Sequence, residues 1–417
     1  MHYFQYRNNE LYCEKKKVID IAKEFGTPLY LYSYRTITEH FDKIKRAFSC
    51  LDPLICYSVK ANSNLTILKI LVERGAGLDI VSGGELFRAR LVKCPPKRIV
   101  YASVGKTEKE IKEAIDYGIL LFNVESLPEL VRINKLAKSL NKKVDVALRF
   151  NPDISSSTHR YIVTGKKETK FGMDIDSIKH IFSSWDNYSS INLKGLHIHI
   201  GSQITQAEPF IRAIKRVKNI MDELAKDGIY LDYLNIGGGL GIVYSEEKPQ
   251  SAQDFADKVL PLLKGMNFKL ILEPGRFIVG NAGILVTKVI YIKDTPIKRF
   301  IIVDAAMNDL IRPALYGAFH RIEPLRKRAD VFEKKLSDIV GPVCESGDFL
   351  GKDRELNVKE GDYLVVFGAG AYGFSMSSNY NSRPRAREVL VKGNRTYLIR
   401  ERETYQDLVR KERIVSI

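Results

Sequence analysis

The sequence has 417 residues, 45% of them hydrophobic, with 66 Lys and Arg against 50 Asp and Glu for a formal net charge of +16. That length suits two domains or one large one with an extension, and no apolar run approaches the ~18 residues that a membrane helix needs, so a membrane-spanning protein is not expected. The positive charge lies in short runs such as Lys15 to Lys17, and Lys166 with Lys167, interleaved with acids; it is not clustered with aromatics on one element, which argues against a nucleic-acid partner.

The N-terminus, MHYFQYRNNELYCEKKK, shows no apolar h-region and no small-residue cleavage site, so a cytoplasmic protein is expected. Cys13, Cys50, Cys56, Cys94 and Cys344 form no CxxC pair and no Cys/His ligand spacing. Reduced thiols and no metal site are expected.

From residue 54 onward a short β-rich run, a polar or glycine-containing break and a longer helical stretch recur. The β-rich runs are LICYSV, GLDIVS, RIVYAS, ILLFNV, KVDVALRF, LKGLHIHI, LDYLNI and KLILE. Between them, Asn64 to Arg74 and Pro209 to Leu224 carry apolar residues at the three and four spacing of a helix with one buried face. Eight such alternations over some 220 residues match a (β/α)8 barrel of about 250 residues. A doubly wound sheet has the same local pattern, because periodicity does not show closure. The position of the unusual residues favours the barrel, since they fall toward strand C-terminal ends, where barrels keep their active sites. They are Lys60 after the first run, Ser82 after the second, Arg149 in the fifth, His199 and Ser202 at the sixth, Gly237 to Gly239 after the seventh, and Glu273 with Arg276 after the eighth.

After Phe277 the rhythm changes. GILVTKVIYIKDT, KRFIIVDAA, GPVCESGDFL, DYLVVFGAGAY and EVLVKGNRTYLIRE are β-rich runs joined by turn signals. The expected division is a barrel over residues 26–277 and a mostly antiparallel β domain from residues 1–25 plus 278–417.

Several constellations carry chemistry. Lys60 ends the run LICYSVK; it is either a solvated charge or a desolvated amine that attacks carbonyls. NIGGGLG, Asn235 to Gly241, is either a plain tight turn or a backbone cradle for phosphate, and its place after the seventh strand favours the cradle. It has neither the P-loop form nor the dinucleotide fingerprint. EPGRF, Glu273 to Phe277, sets an acid and an arginine three apart; beside a phosphate cradle they suit an anion and a protonated ring nitrogen, and in isolation a surface ion pair. HIHIGSQ puts His197 and His199 on one face of the sixth strand without acidic ligands at metal spacing. Amine, amides, acid and flat imidazole together suit pyridoxal 5′-phosphate, which needs each of them.

These motifs, with YSVKANSN, THRYIVTGKKETKFG, VDAAMNDLIRPALYGAFH, GPVCESGDFL and GAYGFSMSSNYNSRPR, resemble the fold type III pyridoxal-phosphate decarboxylases, with their alanine racemase-like barrel, over nearly the whole chain. The resemblance is greatest to the branch that converts meso-2,6-diaminopimelate to L-lysine and carbon dioxide. It implies that Lys60 is the Schiff-base lysine, that His199 stacks on the pyridine ring and that Glu273 meets the ring nitrogen. It implies a phosphate or substrate role for Ser202, Gly237, Gly238, Gly239 and Arg276, with Ser82, Arg149, Pro274, Gly275 and Tyr372 completing the cofactor set. Cys344 is implied as proton donor, and Arg276, Arg312, Tyr316, Glu345 and Tyr372 as substrate-binding residues. Members of the family are head-to-tail homodimers with shared sites, the CESGD segment reaching into the partner. Two other readings stay open: a sister decarboxylase of ornithine, lysine, arginine or carboxynorspermidine, and a non-catalytic pyridoxal-phosphate-binding regulator on the same fold. The segment Asp153 to Thr169, rich in Ser, Thr and Lys, reads as a lid over the site.

Overall fold

In the computed structural model, which describes residues 2–154, 169–327 and 335–417, the eight expected runs form eight parallel strands that close on themselves. They are Leu54–Ser58, Gly77–Ile80, Ile99–Ala102, Leu121–Val124, Val144–Arg149, Ile191–His197, Tyr233–Asn235 and Lys269–Leu272. Every residue of the first four is buried. A parallel strand covered on both faces reads as a continuous apolar run, not an alternation, which is why these segments were legible. Closure is made by the last strand on the first, with Ile271 opposite Leu54 and Leu272 opposite Ile55.

Several strand-to-helix loops end on residues that cap the next helix. Asn64 Oδ1 accepts the Thr66 N–H at the start of Leu65–Glu73, and Ser126 Oγ accepts the Glu129 N–H at the start of Leu127–Ser139. Thr107 and Glu110 form a reciprocal capping box on Glu108–Tyr117. Such caps satisfy amide donors that a helix leaves unpaired in its first turn. The two helices expected between strands are Leu65–Glu73 and Glu208–Lys226. Among the described residues no helix is long and apolar enough to cross a membrane. Residues 155–168 of the expected lid lie outside the described residues.

The chain divides into two compact units, one of His40–Ile242 and Lys248–Phe277, the other of Met1–Glu39, Val243–Glu247 and Ile278–Ile417. The structure draws the first boundary elsewhere than residue 26. Leu29–Ser33, all buried, pairs antiparallel with Gly283–Asp294 and parallel with Arg387–Lys392. Its apolar run is the same for a barrel strand and for a central sheet strand, and only its partners distinguish them.

The second unit holds, among its described residues, a nine-stranded, mostly antiparallel sheet. The N-terminal hairpin, Phe4–Arg7 with Glu10–Cys13, belongs to a separate three-stranded sheet. Phe4, Leu11 and Cys13 pack with Leu29, Val365 and Val389 in one core. Arg387–Lys392 and Arg395–Arg400 form a hairpin whose two-residue loop is Gly393 and Asn394, as the turn signal predicts. GPVCESGDFL departs from its β-rich reading: strand Phe349–Leu356 begins only at its end, and residues 341–348 form a loop. The buried Asp348 carboxylate accepts the N–H groups of Val343 and Met307, both at 2.7 Å. A side chain thereby satisfies amides that a strand would have paired with a neighbour.

Candidate active site

Lys60 sits in a short 3-10 turn, Val59–Ala61, directly after the first barrel strand. Tyr57 Oη donates to the Asn62 carbonyl at 3.0 Å and Asn62 Oδ1 accepts the Asn64 N–H at 3.0 Å, which fixes the loop that carries the amine. The Lys60 side chain is 35% exposed, and its Nζ lies 2.9 Å from Oδ2 of the fully buried Asp79. Ser58 Oγ donates to the same oxygen at 2.5 Å. Burial, then the charge of Glu273, raises the Asp79 carboxyl above its ordinary range, while Lys60 and Ser58 oppose the shift. Asp79 Oδ1 is buried without a hydrogen-bond partner among the described residues. A polar atom so placed marks a site built for more than packing.

Glu273 follows the eighth strand and is 4% exposed. Its Oε1 accepts from Asn235 Nδ2 at 2.6 Å and Asn123 Nδ2 at 3.0 Å, and its Oε2 lies 3.3 Å from His197 Nε2. Burial alone would raise this carboxyl, but His197, Lys60 and the Asn235 amide outweigh it and hold the group ionised, well below the usual carboxylate range. Asn235 also fixes the glycine run, its Oδ1 accepting the Gly237 N–H at 2.9 Å.

Two of the glycines are there for space and backbone angle. Gly238 leaves no room for a Cβ, which would stand 2.1 Å from the Glu273 carbonyl. Gly239 has φ +111, and a Cβ on it would stand 2.4 Å from the Gly201 carbonyl. The Gly238 N–H donates to His199 Nδ1 at 3.3 Å, so the ring proton belongs on Nε2. Burial first, then the cations of Arg149 and Lys60, push the His199 imidazolium well below its ordinary range, and the ring is neutral.

The remaining barrel residues are held as follows. Arg276 is 6% exposed and donates through Nε and Nη2 to Ser202 Oγ at 3.3 and 3.0 Å. Arg149 Nη1 pairs with Glu125 Oε1 at 2.5 Å, both buried, and Glu125 Oε2 accepts the Gly172 N–H. The Ser82 oxygen accepts the Glu85 N–H at 3.2 Å as the cap of helix Gly83–Leu91. Pro274 accepts the Ser58 N–H at 3.2 Å, which ties the end of the first strand to the EPGRF loop that also carries Gly275.

Lys60, His199 and Glu273 are thus brought within electrostatic reach of one another. Sequence reasoning missed Asp79, Asn123, Asn235 and Glu125 as their partners. The signal was present: Asp79 inside GLDIVS, Asn123 inside ILLFNV and Asn235 inside LDYLNI are polar residues within runs that read as buried strands.

Five of the expected residues lie on the β unit. Cys344 and Glu345 are exposed on the loop anchored by Asp348; the Cys344 N–H donates to Asn381 Oδ1 at 2.7 Å, and Tyr380 Oη lies 3.4 Å from Glu345 Oε2. Arg312 and Tyr316 bound the short helix Arg312–Tyr316, and Arg312 is 7% exposed. Tyr372 is half-buried with φ +57, a left-handed backbone uncommon for a bulky residue.

Residues 34–280 match the family model for the pyridoxal-dependent decarboxylase pyridoxal binding domain, more than half of the chain. The chain belongs to the pyridoxal-dependent decarboxylases. Its relatives in that family match end to end. The diaminopimelate decarboxylase of Aquifex aeolicus is 50% identical over 409 residues, 98% of this chain and 96% of the relative. That of Vibrio cholerae is 48% identical over 410 residues, 98% of each. Among solved structures, the diaminopimelate decarboxylase of M. jannaschii in complex with L-lysine superposes with a TM-score of 0.94 at 39% identity, covering 99% of this chain and 98% of that one. The cofactor of this pyridoxal-dependent decarboxylase is pyridoxal 5′-phosphate.

Proposed function

We propose that this chain decarboxylates meso-2,6-diaminopimelate to L-lysine and carbon dioxide, the last step of lysine biosynthesis. The observation that carries the reading is the end-to-end identity of 50% and 48% with diaminopimelate decarboxylases. The donor set suits the cofactor: an aldehyde needs a reachable amine, which Lys60 offers, and a ring nitrogen needs an ionised acid, which Glu273 supplies in a buried place. When bound, pyridoxal 5′-phosphate supplies an electron-accepting ring for the pair left behind by carbon dioxide.

Lys60 would hold the cofactor through its amine, a donor able to add to an aldehyde. Glu273, ionised and locked by Asn123, Asn235 and His197, would hold a proton on the ring nitrogen. His199, neutral, would offer a flat face to the ring without adding charge. Ser202, Arg276 and the glycine run Gly237 to Gly239 would hold the phosphate, with Ser82, Arg149, Pro274, Gly275 and Tyr372 beside the cofactor. Cys344 gives a proton to the carbon that has lost carbon dioxide. Arg312, with Arg276, takes the distal carboxylate, Glu345 the distal ammonium, and Tyr316 and Tyr372 line the same end.

The protein is read as a homodimer in which the loop bearing Cys344 and Glu345 enters the partner's site. The support is an exposed but anchored loop, with its acid and thiol facing outward from the buried Asp348. The reaction is placed in the cytoplasm, in keeping with five free cysteines.

A sister enzyme acting on ornithine or arginine is the reading to be separated. A substrate with no second carboxylate leaves a distal arginine desolvated without compensation. Purified holoenzyme given meso-diaminopimelate, ornithine or arginine should release carbon dioxide from the first alone; release from ornithine alone would sink the reading.

A further inference from the structure

The contacts of the buried Arg312 include a histidine ring nitrogen and an aromatic face. Its Nη1 lies 2.8 Å from Nε2 of His320, which is completely buried. A guanidinium has only donors, so Nε2 must accept. The ring proton then belongs on Nδ1, which lies 2.8 Å from the Phe367 carbonyl and donates to it. Tyr244 completes the arrangement. The Arg312 guanidinium lies 4.7 Å from its ring centroid, and the His320 ring meets it edge-on at 5.2 Å. Gly368 admits that aromatic ring, which lies 3.1 Å from where a Cβ would stand.

One edge of the guanidinium is therefore fixed by a ring nitrogen and one face by an aromatic ring. Both partners are neutral in these roles. A carboxylate in the place of His320 would orient the fork equally well but would neutralise it, as Glu125 does for Arg149. Orientation without neutralisation is what a cation needs if it is to receive an anionic group from a ligand.

We propose that His320 is a positioning residue for substrate recognition: it sets the Arg312 fork for the carboxylate distal to the reacting carbon without itself adding a negative charge. This rests on the reading of Arg312 as the distal-carboxylate group, and the test separates the two.

L-Lysine keeps the distal carboxylate, whereas 1,5-diaminopentane is the same chain without it. Both are used as inhibitors of diaminopimelate decarboxylation by the holoenzyme. His320→Asn keeps a donor for the Phe367 carbonyl but does not reach Arg312. It should raise the inhibition constant of L-lysine by about tenfold or more and that of diaminopentane by less than about twofold, with KM for diaminopimelate rising more than kcat falls. His320→Gln places an amide oxygen further out and should recover part of the L-lysine affinity. If His320→Asn shifts both inhibitors by one factor, or neither, while Arg312→Ala weakens L-lysine alone, His320 serves only the fold and the proposal is overturned. If Arg312→Ala leaves the ratio of the two inhibitors unchanged, the reading of Arg312 itself fails, and the proposal with it.

Discussion

Lys60 Nζ lies 2.9 Å from Asp79 Oδ2, so the amine at the end of the first barrel strand is paired with a buried acid from the second. A hydrogen bond to a charged group contributes about 1.5–3 kcal/mol, and the partial exposure of Lys60 argues for the lower end. Asp79→Asn is expected to lower kcat/KM by roughly tenfold. Ser58→Ala, which removes only a hydroxyl from the same carboxylate, should cost less. Initial rates of carbon dioxide release check both, and an Asp79→Asn rate within twofold of the parent would tell against the pairing.

Lys60→Ala should abolish turnover and prevent borohydride from fixing the cofactor to the chain. A variant that keeps the parental rate, or is still labelled at residue 60's peptide by mass spectrometry, contradicts the assignment of Lys60.

Glu273→Gln keeps the shape of the side chain but not its charge. A drop in kcat of about tenfold or more is expected, with cofactor still bound as judged by visible absorbance. The pH sign follows from the depressed carboxyl. Its contribution to stability is present above the unfolded value of about 4.3 and is lost only as pH falls through the lower folded value. An acid limb near pH 5 that disappears in Glu273→Gln would contradict this.

Asp309 carries the opposite sign. Burial pushes its carboxyl up to about 7, against the Ala306 N–H and the charges of Arg383 and Arg402. The folded state therefore binds the proton more tightly than the unfolded chain. The stability this lends is complete below about 3.9 and is lost as pH rises toward 7. Asp309→Asn, which keeps an acceptor for Ala306, should raise the melting temperature by a few degrees more at pH 8 than at pH 5. Equal shifts at the two pH values would refute it.

The proposed sharing of the site between two chains is tested by mixing. Lys60→Ala and Cys344→Ala chains, each inactive alone, should recover roughly a quarter of parental activity when unfolded and refolded together, because hybrid dimers hold one intact site. No recovery, with hybrids present by native mass spectrometry, would show that each site draws both residues from one chain.

Much of the barrel was legible because its first four strands are covered on both faces and several of the following loops end on a capping residue. LICYSV and GLDIVS are apolar runs, and Asn64 and Ser82 stand at the capping positions of the helices that follow. Lys60, Glu273 and the glycine run were visible as exceptions to those patterns. The loop of GPVCESGD was not, because its Val343 amide is satisfied by the Asp348 side chain and its Cys344 amide by Asn381, contacts that no residue propensity records. Leu29–Ser33 was misplaced for a related reason: a buried strand reads the same whichever sheet it joins.

The sequence by itself determined the strand and helix rhythm, the lysine at a strand end and the family to which its motifs point, since these depend on local hydrophobic spacing and on residue types at fixed offsets. The tertiary structure alone decided which groups meet. Asn123 and Glu273 are 150 residues apart and share a hydrogen bond of 3.0 Å. The last strand pairs with the first at Ile271 and Leu54, and Ser58 stands opposite Asp79 across the first two strands, where both serve the Lys60 side of the site. Closure turns the inward residues of distant strands into neighbours in a low-dielectric interior, where a carboxylate becomes an ionised anchor or a raised acid according to the partners it finds.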